Sequence, residues 1–188
     1  MALSLATYVS RTQEAIDDIV TELKTITTAG GYYNDPSVIR AIRWPDEVVE
    51  PPEIGVEAGE EEMKVVDANG EVFSSFVTVY VCGTIHANAA LDADSSELVT
   101  ATEQLRHDIK RIVVSMHRKY APNTSSEWRW SIVNGSIDTV PVVGLGERRN
   151  KAQVWTRFKI HIRSQRVNDY ALGHGEVWGS KGYGYWGF

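Results

Sequence analysis

The chain has one cysteine, Cys82, in 188 residues, so it forms no internal disulfide, and a chain of this length buries enough core to need none. A lone thiol fits a reducing compartment. No run approaches the roughly 18 apolar residues of a membrane-spanning helix. The opening M-A-L-S-L-A-T-Y-V-S lacks the charged region and apolar core of a secretory signal. No membrane contact is expected, and the expectation is assembly in the cytoplasm. Positive charge is in deficit, 19 Lys and Arg against 25 Asp and Glu, giving a net charge of −6. The surface as a whole is therefore not built to grip nucleic acid, and any DNA contact must come from a local basic face.

Catalytic and cofactor patterns are also thin. The five histidines are scattered, with no C-x-x-C or H-x-x-x-H pair. Cys82-x-x-x-His86 offers two ligands or a thiol–imidazole pair, but a cysteine inside a central strand is more commonly a small buried apolar residue. Gly144-Leu145-Gly146 lacks the third glycine and the strand–helix setting of a dinucleotide loop, and there is neither a Walker sequence nor a G-x-S-x-G elbow. Asn123-Thr124-Ser125 and Asn134-Gly135-Ser136 match the glycosylation pattern, which carries no meaning without a secretory signal. The adjacent Asp17 and Asp18 suggest a carboxylate pair, but the plainer reading places them on the wet side of a helix. The expectation is a non-enzyme with no metal and no cofactor.

The most ordered stretch is Lys151–Arg163, K-A-Q-V-W-T-R-F-K-I-H-I-R. Val154, Thr156, Phe158, Ile160 and Ile162 alternate with Trp155, Arg157, Lys159, His161 and Arg163, so this is a long strand with one core face and one cationic face. Such a strand needs partners and a cover.

The rest of the chain supplies them. Residues 10–28 read as an amphipathic helix, with a capping box at Ser10 and Gln13 and an apolar stripe of Ile16, Ile19, Val20, Leu23 and Ile26, stopped by Gly30-Gly31. Val38–Trp44 reads as a strand ended by Pro45, and Pro51-Pro52 leads into a short strand with Ile54 and Val56 inward and Glu53 and Glu57 outward. Asn69-Gly70 marks a hairpin whose return strand, Phe76–Cys82, is apolar on both faces and should be central and covered on both sides. Asp94 with Glu97 opens a second helix running to Lys119, with Leu98, Leu105, Ile109, Ile112 and Met116 inward. Trp128–Ile132 and Val140–Val143 are further short strands. Strands follow strands rather than alternating with helices. The class is therefore α+β, a mainly antiparallel sheet with two helices packed on one face.

Beyond Arg166 the composition changes, which divides the chain into a 1–166 domain and a 167–188 arm. Tyr170–Phe188 interleaves six glycines with aromatics. It cannot form a core of its own, yet it is too aromatic for a solvated linker. Trp178, Tyr183, Tyr185, Trp186 and Phe188 read as anchors, for a neighbouring subunit or for their own domain.

Two surfaces carry opposite charge. Arg157, Lys159, His161 and Arg163 share a strand face with Arg166 just beyond. Eight carboxylates fall between Asp46 and Glu62, among them Glu57, Glu60, Glu61 and Glu62. No fixed spacing gathers them around a metal, and an electrostatic docking surface is the better reading. The basic face on one copy and the acidic stretch on another would give head-to-tail contacts that close a ring.

This layout resembles the tail terminator (tail-completion) proteins of tailed bacteriophages. The likeness covers residues 10–163: the first helix ending T-T-A-G-G-Y-Y-N, then V-I-R-A-I-R-W-P, P-P-E-I-G-V-E-A-G-E-E, F-V-T-V-Y-V, the helix L-R-H-D-I-K-R-I and the strand Q-V-W-T-R-F-K-I-H-I-R. The resemblance implies a homohexameric ring in the virion that caps the tail tube protein and joins it to the neck or stopper protein. Genomic DNA would pass through the lumen with only non-specific contact. The C-terminal arm lies outside that pattern. A stopper, connector or minor tail subunit is the nearest alternative, and a cellular protein-binding adaptor the next. An enzyme would be favoured only if carboxylates and histidines converged in one cleft.

Overall fold

The computed structural model describes residues 11–65, 72–86, 96–121, 130–145 and 150–165. The element order is α1 (Arg11–Leu23), β1 (Ser37–Ile39), β2 (Glu53–Val65), β3 (Val72–His86), α2 (Ser96–Lys119), β4 (Trp130–Ile132), β5 (Asp138–Leu145) and β6 (Lys151–Gln165). One sheet of order β1-β2-β3-β6-β4 contains all six strands, with β5 continuing the outer lane beside β6. Only the β1–β2 pairing is parallel. The α+β class expected from the order of elements is what the chain adopts.

Both helices pack on one sheet face. The alternation of β6 holds from Val154 to Ile162: Val154, Phe158 and Ile160 have no exposure, and across the ladder they meet Gly83, Val79 and Val77 of β3. The α1 stripe of Ile16, Ile19, Val20, Leu23 and Ile26 joins the same core as Leu98, Leu105, Ile109, Ile112 and Met116 of α2. Burial of each such side chain contributes about 1.5–3 kcal/mol. Gly83 lets α2 come close, since a Cβ there would stand 2.7 Å from Ile109 Cδ1 and 2.9 Å from Leu105 Cδ2.

Several boundaries differ from the sequence reading. The first helix ends at Leu23, and a 3₁₀ turn at Thr28–Gly30 finishes the segment, with Gly31 at φ 80°. Ser10 and Asp94, the expected caps, lie outside the described residues, as do the Asn69-Gly70 turn and Trp128. The strand expected over Val38–Trp44 stops at Ile39. Its continuation leaves the sheet and crosses the face opposite the helices. A Cβ on Gly55 would stand 2.3 Å from the Ala41 carbonyl oxygen and 2.8 Å from Ile42 Cα, so the absent side chain is what lets this strap lie down. The short strand after Pro52 is instead thirteen residues long, with a bulge between Ala58 and Glu61. Strand β5 extends the expected Val140–Val143 by two residues at each end.

The expectation that β3 is covered on both sides holds over half its length. At one end the strap buries Cys82 and Thr84. Beyond it Phe76 and Tyr80 stay half-exposed, past the end of the strap.

Candidate interaction surface

Strand alternation and ladder register place the outer sheet face in rungs. One rung reads Glu57, Tyr80, Arg157, Asp138 across β2, β3, β6 and β5. Another reads Glu62, Phe76, His161, Ser131. Thr78 and Lys159 stand between them.

The basic strip of β6 is therefore real as a direction but uneven as a charge. Arg157 and Lys159 are exposed and project from mid-face. Arg157 Nη2 lies 3.7 Å from Asp138, a wet pair worth at most about 1 kcal/mol. His161 stacks on Phe76 with ring centroids 4.7 Å apart and nearly parallel planes, and its Nε2 also meets the Ser74 hydroxyl. Its ring is part of the sheet packing. The side chain of Arg163 and the whole of Arg166 lie outside the described residues.

The acidic stretch forms one strand. Glu57, Glu60, Glu61 and Glu62 are all exposed on β2, whose pairing with β1 covers only Glu53–Gly55, so from Val56 onward β2 is an edge of the sheet among the described residues. Acidic side chains on such an edge discourage indiscriminate strand addition. Glu62 pairs with Lys64 at 3.1 Å, again in water. Glu57 also pins the strap, since its Oε1 accepts the Ile42 N–H at 2.8 Å. Glu53, expected to face outward into solvent, does face away from the helices but is 6 % exposed, because the strap covers it and Arg43 reaches it at 3.2 Å.

The other candidate groups resolve into structure. Asp17 is exposed and takes Arg40 at 2.6 Å. Asp18 accepts the Trp130 indole N–H at 2.9 Å, so the two neighbours have separate partners. Cys82 and His86 lie four residues apart on one strand, about 13 Å, and do not converge. Burial pushes the Cys82 thiol up to about 12, with Glu57 adding to the rise and Thr84 opposing it. His86 Nε2 donates to the Pro45 carbonyl at 3.1 Å, and burial pushes the imidazole below its ordinary value. Asn134 meets His117 at 2.5 Å.

Sequence reading missed an apolar strip beside Arg157. Val140 and Val142 of β5 project from the outer face beside Trp155 and Gln153 of β6. They are 50 % and 38 % exposed, far more than a strand valine packed in a core. Gln153 Nε2 donates to the Arg43 carbonyl at 3.2 Å, which sets the strap and its 75 %-exposed Trp44 next to them. The signal was present in the alternation of Asp138, Val140 and Val142, with Thr139, Pro141 and Val143 on the other side.

A scan against models of known protein families finds no match, and no curated protein matches the chain in sequence.

Proposed function

We propose that this chain is a structural ring subunit of a tailed bacteriophage, the tail terminator that caps the tail tube and joins it to the neck. The observation that carries the reading is the charge layout of one sheet: exposed Arg157 and Lys159 in mid-face, and exposed Glu57, Glu60, Glu61 and Glu62 along an edge strand. A surface that is basic in one place and acidic in another suits a heterologous contact, in which one patch of each copy meets the other patch of the next, and such contacts form a ring when the rotation between copies closes. Cations turned to the lumen would meet DNA phosphates without reading sequence. In this reading the protein assembles in the host cytoplasm as a hexamer and resides in the virion, bound to tube protein on one side and neck protein on the other.

Light scattering of the purified protein, alone and mixed with tail tubes, tests this directly. A hexamer, or a monomer that becomes a six-fold ring on tube ends, is the expected result. A monomer indifferent to tubes would overturn the reading in favour of a protein-binding adaptor.

A further inference from the structure

We infer that the apolar strip of Trp44, Val140, Val142 and Trp155 is the docking site for the aromatic end of this same chain, residues 178–188. The strip has the make-up of a small interface: apolar and aromatic in the middle, with the Arg157–Asp138 pair at one rim and the Lys151–Asp46 pair at the other. Exposed apolar side chains grouped beside one another mark a contact rather than idle surface.

Reach selects the occupant. Strand β6 runs from Lys151 at the strip to Gln165, so the chain beyond it starts about 33 Å from Trp155, ten residues at about 3.3 Å each. Twenty-three residues follow Gln165. The twelve residues 166–177 span at most about 40 Å, so Trp178 only just returns to the strip, whereas Tyr183, Tyr185, Trp186 and Phe188 return with slack. The aromatics thus concentrate in the part of the arm that can arrive. A tether of this length holds the arm at an effective concentration of about 1 mM, far above that of a separate copy in dilute solution. This inference does not depend on ring assembly, because a single chain suffices.

Lys181, inside the arm, supplies the readout. Trypsin cleavage after Lys181 is followed on the full-length chain at several protein concentrations, for the parent and for Val140→Asp/Val142→Asp. With a free-arm affinity of about 0.1 mM, docking slows cleavage about tenfold in the parent, and the double variant abolishes that protection. Trp44→Ser, on the strap rather than the sheet, gives the same gain in cleavage and guards against a folding artefact in β5. Protection independent of protein concentration supports the same-chain site. Protection that appears only at high concentration assigns the strip to a second copy's arm and overturns the inference, as do equal cleavage rates in parent and variants. None of these outcomes alters the light-scattering result that decides the ring.

Discussion

Asp108 of α2 accepts both the backbone N–H of Asn34, at 3.1 Å, and its side-chain amide, at 2.9 Å. The Tyr33 N–H adds bonds of 3.0 and 3.2 Å to the two oxygens of the same fully buried carboxylate. Three residues on, Arg111 donates to the Gly31 carbonyl at 2.8 Å and lies over the Tyr32 ring at 4.5 Å. One helix face thereby clamps the stretch from Gly31 to Asn34 in the loop that leads from α1 to β1.

Because Asp108 is the partner of all three donors among the described residues, its removal should be costly. Asp108→Ala leaves the Tyr33 and Asn34 N–H groups facing an apolar side chain, and destabilises by about 2–4 kcal/mol in urea unfolding. Asp108→Asn keeps the shape but loses the charge-assisted character of the bonds, and lies between that variant and the parent. Equal midpoints for all three would show that solvent replaces the carboxylate at no cost.

The two faces of β6 make opposite predictions for adjacent residues. Phe158 is fully buried and Lys159 exposed. Phe158→Ala costs about 3–5 kcal/mol through lost burial and the cavity left behind, and Phe158→Asp costs more, because the new charge has no partner. Lys159→Ala stays within about 0.5 kcal/mol. Thermal or urea melts of the three variants check the ranking, and a neutral Phe158→Asp would reverse the face assignment.

How much of this was legible follows from which signals are local. Period-two alternation in Val154–Ile162 and the 3.6-residue stripes of both helices depend on one partner surface each, so the core was readable residue by residue. Burial of Glu53 was not, because it comes from a strap fixed by the missing side chain of Gly55 and by the Ile42–Glu57 bond, contacts that periodicity does not encode. His161 shows the same limit on the outer face. Its spacing marks it as a member of a basic strip, but its cross-strand neighbour Phe76 makes it a stacked ring.

Acid should weaken the fold through His86. Burial, and secondarily the nearby Lys151, hold this imidazole below its ordinary value of 6.5, while Pro45 and Asp46 pull the other way. A folded-state value below the unfolded one means the native state binds the proton less readily. The contribution is therefore complete above the ordinary value and is lost as pH falls through the folded one. The melting temperature of the parent, compared with His86→Gln, should drop more steeply between neutral pH and pH about 5. Parallel curves would mean His86 is not the group responsible.

Gly55 links the strap to the one thiol of the chain. Its ladder partner is Cys82, and the strap passing over Gly55 is what keeps that thiol from water. In Gly55→Val the added carbons would collide with the backbone of Ala41 and Ile42, which cannot swing aside as a side-chain tip does. The strap must lift, and the bonds from Ile42 to Glu57 and from Gln153 to Arg43 must stretch or break. Cys82 then gains water, and its value falls from about 12 towards the ordinary 9.0. Each unit of that fall raises the thiolate fraction about tenfold at fixed pH, and the thiolate is the reacting form. Modification of native protein by an aromatic disulfide at mildly alkaline pH should therefore be at least about tenfold faster in Gly55→Val than in the parent. Arg43→Ala, which loosens the strap without a collision, should fall between them. If all three thiols react at one rate while the proteins remain folded, the strap does not guard Cys82.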